Sequence, residues 1–150
     1  DDIIVSVWNG GEWVDTAELT LIGPPENRML ELGWVGNTGI ACAVFRRLAH
    51  AGSFEVALLQ PTGWRIQPAV ELPGVGKAAK VRLVSLPDTN QLLGAVLDAN
   101  GRLFGLRYDG RAFSLLDGGA PLATGLDPTA PGRPFDVAVR RPSADGPSFR

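Results

Sequence analysis

Hydrophobic and polar residues alternate with a period of two along many short stretches of the chain. In one such run Phe135, Val137 and Val139 alternate with residues that include Asp136 and Arg140. A period of two is typical of half-buried β-strands. The 19 glycines and 12 prolines interrupt the chain between these stretches. The pattern therefore predicts an antiparallel β-protein with no helix longer than about two turns.

Hairpin turns are indicated by three dipeptides in which glycine follows a short polar residue. These are Asn9-Gly10, Asn100-Gly101 and Asp109-Gly110. Such pairs are favoured in tight hairpins because both residues tolerate a positive φ. Each dipeptide is therefore predicted to lie at a hairpin tip.

One unit, a strand followed by a turn and an aromatic residue, occurs three times. Its copies read IIVSVWNGGEW, FEVALLQPTGW and LFGLRYDGRAF, and their turn glycines Gly10, Gly63 and Gly110 are spaced by 53 and 47 residues. A repeat of roughly 40–50 residues built from short strands is the signature of a β-propeller blade. The repeat predicts antiparallel blades of four strands, which we name A to D.

The copies superpose with steps of 52 and 54 residues in strand A and 52 in strand B. The predicted strands are A at 29–35, 81–86 and 135–140, B at 39–47 and 91–98, C at 3–8, 54–60 and 103–108, and D at 12–19, 64–72 and 112–122.

The whole chain, 1–150, is predicted to be one propeller segment of about three blade equivalents with an incomplete ring. Residues 1–22 supply strands C and D of one blade, 23–73 and 74–123 form two blades, and 124–150 start a further one. Unpaired strand edges are expected near 3–8 and 135–140, and monomers avoid such edges. We therefore expect self-association through the terminal strands, as a two-chain ring or an open assembly, or a longer parent chain.

The repeat resembles the Trp-Asn-Gly-x-x-Trp-type β-propeller repeats of large bacterial and archaeal surface proteins. The resemblance is carried by WNGGEW at 8–13, YDGRAF at 108–113 and FDVAV at 135–139, while QPTGW at 60–64 departs from it with a longer or shifted turn. It implies a secreted or surface-exposed adhesion or scaffold module, with no enzymatic motif of its own.

Composition narrows the classes of partner. The formal net charge is −2 with 45% hydrophobic residues, and a pI near 5.3 argues against a nucleic-acid footprint. No apolar run approaches the roughly 20 residues of a membrane helix, so membrane insertion is not expected. The single cysteine, Cys42, allows no intrachain disulfide and is interpreted as a small buried residue.

Three aromatic residues occupy one repeat position at the start of strand D: Trp13, Trp64 and Phe113. Packing between adjacent blades is the first interpretation, because large aromatic side chains dominate burial in such interfaces. The alternative is a sugar-binding surface on which each ring stacks. That role needs a repeated polar partner, and the neighbours Glu12, Arg65 and Ala112 share no chemistry.

Catalytic and metal-binding patterns are weak. The run 98–101 alternates carboxylate and amide side chains as calcium loops do but lacks the downstream bidentate Glu, so a hairpin turn is the better interpretation. His50 is the only histidine, which disfavours a zinc site or a triad. The run 143–149 resembles a shortened Asp-box turn. No catalytic residue, metal ligand or cofactor is predicted.

Three functions remain open. The first is a non-enzymatic binding or scaffold module of a secreted or cell-surface protein, which recognises a protein or glycan through its blade loops. The second is a structural assembly unit, the subunit of a strand-exchanged ring or filament. The third, an enzyme of the sialidase-like, glycan-processing type, is disfavoured because no arginine triad or carboxylate pair recurs on the A strands.

Overall fold

A computed structural model describes residues 2–20, 30–35, 40–45, 53–132 and 134–139. Short antiparallel strands dominate these residues. The strands are β1 (Asp2–Trp8), β2 (Trp13–Thr20), β3 (Leu30–Val35), β4 (Ile40–Phe45), β5 (Ser53–Gln60), β6 (Gly63–Ile66), β7 (Val70–Glu71), β8 (Ala78–Ser85), β9 (Leu92–Asp98), β10 (Leu103–Tyr108), β11 (Phe113–Leu115) and β12 (Pro121–Ala123).

The strands form one hairpin and two five-stranded sheets, all antiparallel. The hairpin pairs β1 with β2. The first sheet has the order β3-β4-β5-β6, with β7 also paired to β5, and the second has the order β8-β9-β10-β11, with β12 also paired to β10. The predicted order A to D is therefore the hydrogen-bonded order in both sheets. The all-β, antiparallel class predicted from the alternation is confirmed.

Strand D is broken in both sheets, where the sequence pattern predicted one long strand each time. In the first sheet the break lies between β6 and β7, next to Pro68, which has no N–H to donate to a ladder. In the second, a 3₁₀ turn at Asp117–Gly119 separates β11 from β12, and Gly118 and Gly119 have positive φ there. Among the described residues this 3₁₀ turn is the only helical element, and no helix is long and apolar enough to cross a membrane.

The register between the two sheets corrects the spacing taken from the turn glycines. One cross-strand row of the first sheet matches one of the second: Gly33, Cys42, Leu58 and Arg65 correspond to Val84, Leu93, Arg107 and Ser114. Corresponding residues of the two sheets are thus 51 positions apart in strands A and B and 49 apart in strands C and D. The superposition of sequences gave 52 for strands A and B. Gly63 does not correspond to Gly10, because Trp64 pairs with Leu59 as Trp13 pairs with Trp8.

The central turn instead has its glycine at the end of the loop. Gln60 pairs with Gly63 across Pro61 and Thr62, and Gly63 has a φ of +97°. Proline at the second and glycine at the fourth position are favoured in a type I turn. The central turn is therefore no longer than the others, and the shift moves its glycine two places along the loop.

The two sheets pack face to face around one hydrophobic core. β3 lies against β8, and the β2 strand of the hairpin lies beside β6. The core contains residues from both sheets and from the connector between them: Val35, Phe54, Val56, Leu72, Val75, Ala78, Val81, Leu92, Val96, Phe104, Leu106, Tyr108 and Phe113.

Polar contacts fix how β3 lies on β8. Glu31 Oε2 accepts a hydrogen bond from Arg82 Nη1 at 2.5 Å, and three residues further along both strands the Ser85 hydroxyl donates to the backbone oxygen of Trp34. The two strands therefore run in the same direction. A Cβ on Gly33 would lie only 3.1 Å from Leu92 Cδ1, so the missing side chain lets the sheets approach.

The A strand predicted at 135–140 is not found, since residues 135–139 form no strand and Arg140 lies outside the described residues. The stretch before it is instead held against the second sheet. Lys80 Nζ donates to the backbone oxygens of Ala130 and Gly132. The alternation at 135–139 does recur as alternating burial, but among the described residues no strand pairs with this stretch.

Candidate functional site

Two of the three hairpin tips use the same hydrogen-bonding arrangement. Asn9 Oδ1 accepts hydrogen bonds from the N–H groups of Gly11 and Glu12 at 3.0 Å. Asp109 Oδ1 accepts from Arg111 and Ala112 at 2.8 and 2.9 Å. The bonds from Ala112 and Arg111 hold the pKa of Asp109 below its usual value. Short polar side chains thus close both turns by mimicking a backbone turn.

The tip at Asp109 lies at the same end of the second sheet as the loop between β8 and β9. In an antiparallel meander the loop between the first two strands and the loop between the last two share an end. In the second sheet these loops touch, since a Cβ on Gly110 would lie 3.3 Å from the backbone oxygen of Asn90. Arg107 Nη2 also donates to Gln91 Oε1 at 3.1 Å. We call the loops 61–62, 86–91 and 109–112, together with the loop 9–12 that joins the equivalent strands of the hairpin, the turn rim.

The turn rim is polar and exposed. Its exposed side chains include an acid, an amide and a base in the second sheet: Asp88, Asn90 and Arg111. Asp88 has a φ of +62°, a conformation that Asp and Asn adopt more readily than most residues. The rim combines fixed backbone with varied polar groups, which is the composition expected of a recognition surface on loops.

The three aromatic residues of the shared repeat position meet different surroundings. Phe113 is only 9% exposed and contacts Phe54 of the first sheet edge to face, with ring centroids 5.4 Å apart. Trp64 is half-buried, on the strand that β2 lies beside. Trp13 is 67% exposed and contacts Trp8 with ring centroids 5.5 Å apart and ring planes tilted by 59°. Phe113 is therefore packed against the other sheet, whereas Trp13 is largely exposed.

Trp64→Ala should lower the free energy of unfolding by about 2–4 kcal/mol, since a partly buried Trp loses most of its packing in this change. Trp8→Ala is the matched control, and should cost about 1 kcal/mol or less, because Trp8 is 53% exposed and contributes chiefly one aromatic pair. Urea melts of the two variants measure both losses. Equal, small losses would contradict the packing of the hairpin on the first sheet.

Asp98, at the start of the predicted calcium-like run, is a fully buried structural anchor. Its Oδ1 accepts hydrogen bonds from the N–H groups of Asn100 and Arg102, both at 2.9 Å. Its Oδ2 accepts from the Gly76 N–H at 3.0 Å and from the Arg102 guanidinium at 2.7 Å. Both oxygens thus face N–H donors, which supports the hairpin-turn interpretation over a calcium loop.

The electrostatics of Asp98 follow from these partners. Burial acts to raise the pKa of Asp98, but the backbone and guanidinium hydrogen bonds from Arg102, with those from Gly76 and Asn100, outweigh it and hold the pKa below its usual value. Arg102 also donates to the backbone oxygen of Gly74 at 3.0 Å. The ion pair therefore fastens the β9–β10 turn to the connector that enters β8.

Other sequence candidates add no site. His50 and the run 143–149 lie outside the described residues, as does the side chain of Cys42. Within the described part of the chain, no group of three or more His, Cys, Asp or Glu side chains is placed to hold a metal ion. Sequence reasoning missed two ion pairs, Asp98–Arg102 and Glu31–Arg82. The Asp98–Arg102 pair had a sequence signal, because an Asp in a predicted turn is followed four residues later by an Arg. The Glu31–Arg82 pair had none, because its residues are 51 positions apart.

No protein-family model matches the chain, and no curated protein matches its sequence.

Proposed function

We propose that the chain is a segment of a β-propeller-type repeat, in which each four-stranded sheet is one blade, and that it works as a non-enzymatic binding or scaffold module of a secreted or cell-surface protein. The observation that supports this most is the stacking of two equivalent sheets with β3 on β8 in the same direction. Successive blades of a propeller stack in this way, with their first strands innermost.

The turn rim is the surface proposed to recognise a protein or a glycan. Its tips are closed by Asn9 and Asp109, so its backbone is preorganised and little ordering entropy would be lost on binding. The exposed Trp13 lies just past the first tip. An exposed tryptophan beside polar groups suits either a sugar ring or a protein surface. A structural assembly unit remains the alternative function, and the exposed apolar residues of β3 and the hairpin favour it.

Binding at the turn rim should fall at least tenfold when Asn90 and Arg111 are both replaced by alanine. Glycan arrays and a panel of purified cell-surface proteins would measure binding by the full chain. Leu122→Ala is the control, because Leu122 is an exposed apolar residue of β12 outside the rim. Both variants should melt close to the parent, since surface changes usually alter stability by less than about 0.5 kcal/mol.

If the chain binds nothing on both panels and its mass in solution exceeds 15.9 kDa, the proposed function as a binding module is contradicted and the assembly unit is favoured. Release of free sugar from a glycan would instead favour the glycan-processing enzyme.

A further inference from the structure

An exposed apolar row covers one face of β3. Leu30, Leu32 and Trp34 alternate along the strand and remain 37%, 55% and 49% exposed. The intervening residues Glu31 and Gly33 face the second sheet. β3 is thus packed on the face that carries Glu31, Gly33 and the buried Val35, and open on the face that carries the apolar row.

The internal repeat shows what such a row contacts when it is covered. By the cross-strand register, Leu32 and Trp34 of the first sheet correspond to Leu83 and Ser85 of the second. Leu83 lies against Gly33, and the Ser85 hydroxyl donates to the backbone of Trp34. In the second sheet, therefore, the corresponding row is the one that receives the first strand of the preceding sheet.

The hairpin β1–β2 provides the other half of the arrangement. Trp8 and Trp13 pair with each other as Tyr108 and Phe113 do, which places β1 and β2 in the positions of the last two strands of a sheet. β2 lies beside β6, as expected for a preceding sheet. Within the described residues β1 pairs with β2 alone, whereas its counterparts β5 and β10 each pair with a second strand on their other side, β4 and β9.

We infer that the open edge of β1 and the row Leu30, Leu32 and Trp34 together form a docking site for a two-stranded antiparallel β-hairpin that has the chemistry of strands A and B of this repeat. One strand of the hairpin pairs with the edge of β1, and the other lies on β3. Main-chain hydrogen bonds at the edge supply affinity, and alternate side chains supply specificity. The incoming strand carries a small residue opposite Leu32, as Gly33 lies opposite Leu83.

A hairpin from elsewhere fits this site better than a second copy of the described chain. Both A–B hairpins present here, β3–β4 and β8–β9, are already paired within their own sheets, and β3 is packed on β8. The inference depends on the stacking of the sheets and not on what the turn rim binds, so the two proposals can fail separately.

The test completes the arrangement with the chain's own repeat. A second copy of residues 30–52 is joined directly before Asp2. This copy carries E31Q, because its own carboxylate would otherwise lie next to Glu31 of the original strand. Asp2 corresponds to Ser53, so the copy enters β1 as residues 30–52 enter β5. Amide hydrogen exchange of residues 3–8 should slow at least tenfold.

The matched control carries the same insert with L32K at the original position only. Leu32 is largely exposed, so L32K alone should shift the melting temperature by no more than about 2 °C, whereas it should abolish the gain in protection. An insert that gives no added protection, or equal protection with and without L32K, would overturn the inference. A parent chain that dimerises and becomes monomeric with L32K would overturn it in favour of a second copy as occupant.

Discussion

Phe54→Ala should lower the free energy of unfolding by about 3–5 kcal/mol, the usual cost of removing a buried Phe side chain. Phe54 is fully buried on β5 of the first sheet and contacts the ring of Phe113 on β11 of the second. Its removal therefore opens a cavity between the sheets and also deletes an edge-to-face aromatic pair. Equilibrium unfolding in urea measures the loss.

Leu122→Ala is the control for Phe54→Ala, because the exposed Leu122 should contribute less than about 1 kcal/mol. A small loss for Phe54→Ala, close to that of the control, would show that the two sheets do not pack on each other. If Phe54→Ala causes a large loss and Trp64→Ala then costs no further stability in the same chain, the hairpin and the two sheets unfold as one unit.

Asp98→Ala should cost about 3–4 kcal/mol, because it leaves the donors of Gly76, Asn100 and Arg102 without their shared acceptor. Asp98→Asn keeps the shape but removes the charge, so it should cost less. The exposed turn residue Asp109, which accepts similar backbone bonds, is the comparison. Asp109→Ala should have a clearly smaller effect, since water replaces the lost acceptor at an exposed tip.

The pH dependence of stability should carry the same signature. The pKa of Asp98 is lowered in the folded chain, and its unfolded pKa is about 4. The charged form is therefore stabilised by folding, and this stabilisation is present above about pH 4 and is lost as the pH falls through the folded-state pKa. Urea melts between pH 7 and pH 2 should show a shallower acid decline for Asp98→Asn than for the parent. Identical declines would contradict the buried ion pair.

The strand order could be predicted from the sequence because several strands alternate and each turn between strands C and D has a glycine. The breaks in strand D could not, although Pro68 and the pair Gly118-Gly119 were visible signals. Alternation continues across Pro68, and it reports which face is buried rather than whether a ladder is continuous. The same limit explains 135–139, where burial alternates although no strand in the described part of the chain pairs with these residues.

The candidate site was predictable only in part. The tips at Asn9 and Asp109 follow from local turn chemistry. The anchor at Asp98 depends on Gly76, which lies 22 residues earlier, and the pairing of Glu31 with Arg82 depends on how the sheets stack. The exposed row on β3 was also hidden, because Leu30, Leu32 and Trp34 read as ordinary core positions until their neighbours in space are known.

Methyl NOE spectroscopy at Gly33 tests the central claim, the stacking of β3 on β8, most directly. The Gly33 α-protons should show strong NOEs to the methyl groups of Leu83 and Leu92, whose carbons lie 3.4 and 3.1 Å from the position of an added Cβ. Gly33 should also show the cross-strand NOE to Cys42 that its pairing requires. An NOE to Cys42 with none to Leu83 or Leu92 would mean that the first sheet forms without stacking on the second, and would contradict the account.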